Sequence, residues 1–90
     1  MARRKLDGTL LVLAKLLEEG KEVSVLRLQE LTGIKNFYTI NRHIQVLKEL
    51  GFIEETIESG PPVRRLIKLT EKGRRAARLA KELLELAGMI

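Results

Sequence analysis

Ninety residues make one small domain, with room for a single modest core and none for a large enclosed pocket. Seventeen Lys and Arg against twelve Asp and Glu leave a net charge of +5, which points to an acidic partner, nucleic acid ahead of a membrane surface. With no Cys and a single His, disulfides, thiolate metal sites, zinc fingers and thiol redox switches are all excluded.

Hydrophobic residues at 44% and charged residues at 32% describe a globular chain, and the scarcity of aromatics predicts a core of Leu, Ile, Val and Ala. The basic stretch Met1 to Lys5 forms an N-terminal arm. Leu6, Leu10, Leu13 and Leu17 then recur at spacings of four, three and four, as on one helix face. Leu11, Val12 and Leu16 widen that stripe beyond one face, and Gly20 is the expected stop. The apolar run Leu10 to Ala14 ends at Lys15, too short to span a bilayer, so a cytoplasmic protein is expected.

Lys21-Glu22-Val23 reads as a short extended connector, and Ser24 as the N-cap of a second helix, Val25 to Thr32. Gly33 allows the sharp turn that ends it. Asn36 is the expected N-cap of a third helix running to Leu50. There Phe37, Ile40, Ile44 and Leu47 form an inward stripe, and Tyr38, Arg42, Gln45 and Glu49 point the opposite way. Asn41 and Lys48 flank that outer face on one side, Thr39 on the other.

The runs 52–58 and 63–69 surround Ser59-Gly-Pro-Pro62 and read as a β-hairpin. Both prolines belong at its tip, because they cannot donate ladder hydrogen bonds. Thr70 is a fair N-cap for a last helix from Glu71 to about Gly88. On it Ala76, Leu79, Leu83, Leu86 and Ile90 recur at three, four, three and four, as a short heptad seam.

The order helix, helix, turn, helix, hairpin, helix is that of a winged helix-turn-helix. The segments Leu28-Gln-Glu-Leu-Thr-Gly33-Ile34, Thr39-Ile-Asn-Arg-His-Ile44, Leu47-Lys-Glu-Leu-Gly-Phe-Ile53 and Leu69-Thr-Glu-Lys-Gly73 resemble the winged-helix transcription regulators. The nearest types are the MarR, PadR and ArsR families and the small archaeal DNA-binding proteins. The resemblance runs from about residue 6 to 88. A composition poor in Asn and Gln and rich in Lys, Arg and Glu is also thermophile-like. Two features depart from the family pattern. Gln29 stands where a small residue is usual, and the turn before the third helix is one residue longer. The second leaves the register of the base-facing positions open by one.

The resemblance implies a mainly α fold with a small β-hairpin wing, one domain over 1–90, and a C-terminal dimerisation helix over 71–90. It implies double-stranded DNA as partner, a homodimer, no cofactor, no metal and no catalysis. An effector, if one exists, leaves no motif. An α-helix fits the major groove, where Arg pairs with guanine and Asn or Gln with adenine. The expected DNA-binding residues are Lys35, Asn36, Tyr38, Thr39, Asn41, Arg42 and Gln45, with Arg64 and Arg65 on the wing and Arg3 and Arg4 on the arm. For Arg64 and Arg65 cross-strand pairing with wing glutamates competes with DNA contact. His43 is read as structural. The expected dimer interface is Leu6, Leu10, Leu13, Ala76, Leu79, Leu83, Leu86 and Ile90; the alternative is that the last helix folds back onto its own first helix and the protein stays monomeric. A DNA-binding protein of this kind is expected to be cytoplasmic and associated with the nucleoid. Two other readings stay open: a nonspecific architectural, chromatin-like DNA binder, and a winged-helix protein-interaction module.

Overall fold

The computed structural model describes residues 8–89, so the expectations placed on Arg3, Arg4, Leu6 and Ile90 lie outside the described residues. Four helices and three strands follow in the order α1 Gly8–Glu19, β1 Val23–Ser24, α2 Val25–Thr32, α3 Phe37–Glu49, β2 Ile53–Glu58, β3 Arg64–Leu69 and α4 Glu71–Leu86. This is a winged helix-turn-helix, with β2 and β3 as the wing.

The three expected N-caps all form. Ser24 Oγ accepts the N–H of Arg27 at 3.1 Å, Asn36 Oδ1 that of Thr39 at 3.0 Å, and Thr70 Oγ1 that of Gly73 at 2.9 Å. Each satisfies a backbone donor that the helix cannot, and each is worth about 1 kcal/mol. Gly33 closes α2 in the left-handed region at φ 75°, its N–H bonded to the carbonyl of Gln29. Gln29 accounts for the unusual turn. Its side-chain amide donates to the carbonyls of Ile34 at 3.3 Å and Lys35 at 3.0 Å. A longer turn exposes more backbone acceptors, and the longer side chain reaches them.

The hairpin is not a two-stranded sheet. The connector that ends in Val23 supplies a third strand, and the sheet order is β1-β3-β2, antiparallel throughout. Val23 faces Ile67 and Ser24 faces Leu66. Two residues are too few for a periodic signal, so only the fold reveals the pairing. On β2 and β3 the opposed pairs Ile53 and Leu69, Glu55 and Ile67, and Ile57 and Arg65 share one face. Ile53 and Ile67 anchor that face in the core.

α1 is the central helix: α4 lies along one side of it, and α2, α3 and β3 touch the others. Val12, Leu13, Ala14 and Leu16 are therefore all buried. Its wide apolar stripe is consumed within one chain. Leu13, expected at a dimer interface, is only 2% exposed, and Leu10 packs against the same core. Neither offers a second copy the free face that the spacing implied.

α4 meets α1 through Ala77, Ala80 and Leu84, with Gly73 buried in its first turn. Small side chains let the two helices approach closely. Gly73 sits so tightly against the wing root that a Cβ built on it would lie 1.8 Å from the carbonyl oxygen of Phe52. Thr70 Oγ1 also donates to the Gly51 carbonyl, and Lys72 Nζ to that of Leu50 while sitting over the Phe52 ring. The seam expected on α4 thus turns away from the core. Leu79, Leu83 and Leu86 are 68%, 45% and 85% exposed, whereas Ala76 packs partly against the core. α4 folds onto α1 with one face, as the alternative had it, and leaves the leucine face open.

Candidate nucleic-acid interface

α3 stands where its ends are fixed twice. Asn36 caps its start, and the buried stripe of Ile40, Ile44 and Leu47 sets its rotation against the core. Phe37, expected on that stripe, is 55% exposed. As the first helical residue it overhangs the end of the core. The opposite face is polar and open. Tyr38 is 85% exposed, Arg42 and Gln45 are exposed, and Thr39 and Asn41 are half-buried beside them. These five residues line one shallow, open groove on the surface.

Charge along this face is uneven. Arg42 makes no ion pair with any described residue, so its guanidinium is available to a ligand. Gln45 leans back to Glu49 at 3.4 Å, at the far end of the helix. Lys35 is exposed in the turn before α3. Asn36, expected to touch DNA, has its side-chain oxygen engaged in the cap. His43 is half-buried against the start of α1, its Nδ1 3.0 Å from Thr9 Oγ1 and its ring against Gly8. That placement is structural, between two helices.

Both wing arginines are engaged in ion pairs. Arg64 Nε donates to Glu58 Oε1 at 2.9 Å, with each side chain 53% exposed. The two stand directly opposite each other in the ladder. Such an exposed pair contributes little and exchanges easily. Arg65 is held much more firmly. Its Nε and one terminal nitrogen both donate to the carboxylate of Glu55, diagonally across the hairpin. Its other terminal nitrogen donates to Asn41 Oδ1 of α3 at 2.6 Å. Lys48 of α3 is the second cation on this carboxylate, 3.1 Å from Glu55 Oε1. Glu55 is only 9% exposed at its side chain. The Arg65 hydrogen bond, helped by Lys48 and opposed by burial, holds its carboxyl below the usual carboxylate range.

Sequence reasoning weighed cross-strand pairing of Arg65 with the wing glutamates without singling out Glu55, and it placed Lys48 only at the flank of the outer face of α3. The position of Glu55 two residues after the buried Ile53 on the same face was the available signal.

No family model matches the chain, and no curated protein matches it. Solved structures do. F-93 of SSV1 superposes with a TM-score of 0.77 at 22% identity, covering 98% of this chain and 97% of its own. A protein of Porphyromonas gingivalis, described as a MarR-family transcriptional regulator, gives 0.77 at 16% identity over 89% of this chain and 76% of its own. A mutant MarR from E. coli complexed with operator DNA gives 0.70 at 16% identity, over 89% of this chain and 56% of its own. These likenesses establish the winged-helix fold. Among the described residues, no helix is long and apolar enough to cross a membrane.

Proposed function

We propose that this chain is a sequence-specific, double-stranded DNA-binding transcription regulator, a non-enzymatic protein that works as a homodimer. In this reading α3 enters the major groove, the wing lies along the adjacent backbone or minor groove, and the protein resides with the chromosome in the cytoplasm. The carrying observation is the outer face of α3: Tyr38, Thr39, Asn41, Arg42 and Gln45 share one open groove, and Arg42 makes no ion pair with any described residue. These are donors and acceptors that can distinguish base pairs, rather than a uniform cationic surface. The net charge of +5 supplies the attraction to phosphate. The operator complex of the structurally similar E. coli protein supports the same use of the fold.

The dimer rests on α4. Leu79, Leu83 and Leu86 form an exposed apolar stripe at helical spacing, with Met89 47% exposed at its end. A second copy of the same stripe is the self-complementary cover for it. A twofold pair would present two copies of α3 to one side of the duplex, about 34 Å apart or a multiple of that.

The test is selection from a randomised duplex pool at ~150 mM salt, together with the solution mass. The expected result is enrichment of an inverted repeat and the mass of a dimer. Binding without enrichment would replace this reading with an architectural one, whose affinity falls steeply with salt and varies little with sequence. No binding even at low salt would end both and favour a protein partner.

A further inference from the structure

We infer that Arg65 of the wing is a positioning residue for base recognition: anchored by Glu55, it holds the amide of Asn41 in one orientation on α3, and it does not act as a phosphate contact. The inference rests on the DNA-binding reading above and deepens it.

Arg65 is bound on two sides at once. One edge of the guanidinium faces the nearly buried Glu55 carboxylate, and the remaining terminal nitrogen reaches Asn41 Oδ1. Guanidinium groups carry donors only, so the Asn41 amide must turn its oxygen toward the wing. Its nitrogen is then the end left to the groove that Asn41 lines with Tyr38, Thr39, Arg42 and Gln45. An unrestrained asparagine presents oxygen or nitrogen to a base with equal ease. This one is set as a donor, for an acceptor such as purine N7 or thymine O4.

Lys48 donates to Glu55 Oε1, the oxygen it shares with a terminal nitrogen of Arg65, so Glu55 is clamped between α3 and β3. The charge of Arg65 is thereby largely neutralised in place. Arg64, on the other face of the strand and half exposed, is the wing cation suited to phosphate. The planar fork matters here. A lysine at 65 retains the charge and the partnership with Glu55, but its single ammonium cannot span both neighbours.

The experiment compares wild type, Arg65→Lys, Arg65→Ala, Asn41→Ala and the double variant Arg65→Lys with Asn41→Ala on the selected duplex and on duplexes altered one base pair at a time. Melting curves for each protein establish that it is folded. Arg65→Lys is expected to lose about tenfold on the selected duplex, within the worth of one base contact. The loss should be confined to the base position that Asn41→Ala also relaxes, with the salt slope unchanged. The double variant should be no weaker than Asn41→Ala alone, because the two residues act as one unit.

Three results would overturn the inference. Arg65→Lys could bind as wild type does, it could lose equally on every duplex with Arg65→Ala lowering the salt slope by about one, or its loss could add to that of Asn41→Ala. In each of these the wild type still binds its site, so the regulator reading stands. If the wild type selects no sequence, that reading fails first and takes this inference with it.

Discussion

α3 and α4 are built alike and finished differently. Each buries a stripe at helical spacing: Ile40, Ile44 and Leu47 in one, Gly73, Ala77, Ala80 and Leu84 in the other. Each then presents its opposite face to the outside. On α3 that face carries Tyr38, Arg42 and Gln45; on α4 it carries Leu79, Leu83 and Leu86. A polar face loses nothing by meeting water and gains when it meets the donors and acceptors of a base pair. An apolar face of three leucines gains only when water is removed. In the proposed function the pair of helices separates reading from assembly, and each exposed face can be altered without touching the core.

The largest expected effect comes from breaking the assembly face. Changing Leu79 and Leu83 together to Glu should convert the dimer to a monomer, read by solution mass. Burial of one leucine is worth about 1.5–3 kcal/mol, and symmetry doubles the loss for each position. The melting temperature of the monomer fold should barely move, since both side chains are exposed in the single chain. A large drop in fold stability would mean that this stripe covers something within the chain, and the contrast with α3 would collapse.

Gly73→Ala probes the buried side of α4. The added methyl meets the Phe52 carbonyl, and the helix must shift off the wing root, at a cost of about 1–3 kcal/mol or more in unfolding free energy. Denaturant titration checks this. Because Ala is the better helix former, an increase in stability would show that the close approach is not maintained.

The reading face is sharpened by Arg42→Ala. Affinity for the selected duplex should fall by roughly 1–3 kcal/mol with relaxed preference at one base pair, and stability should be unchanged. Equal losses on all duplexes would reduce Arg42 to a phosphate contact and would make the face of α3 a generic one.

The smallest effect is a dependence on pH. Glu55 has a folded pKa below its ordinary value, so it contributes stability that is complete above the unfolded glutamate range. That contribution is lost as pH falls through the lowered folded value, when protonation releases Arg65 and Lys48. Acid titration of wild type and Glu55→Gln should therefore differ near neutrality and converge in acid. Parallel curves would show that the bridge between α3 and the wing contributes nothing to folding.

Much of this was legible without coordinates. The three N-caps, the helix order, the hairpin with its prolines at the tip, and the polar face of α3 all follow from local patterns, because caps, turns and amphipathic spacing act over a few residues. The errors share a cause as well. Leu13 and the wide stripe of α1 pointed to a second copy, but α4 of the same chain covers α1. A stripe states that a face is covered and is silent about what covers it. Phe37 fitted the stripe of α3 by spacing, yet the core ends before it.

The sequence by itself determined which segments are helical, where they begin, and which chemistry lies on each helix face. Tertiary structure alone decided what meets across the chain. β1 exists only because Val23 and Ser24 are brought beside β3. The α4 interface with α1 runs through alanines because close approach favours small side chains. Arg65 and Asn41 are 24 residues apart, and Arg65 and Glu55 ten, so no local pattern records that one guanidinium joins them. Hydrogen bonds of that kind depend on the placement of whole elements, and that placement is set by the core rather than by the residues that form the bond.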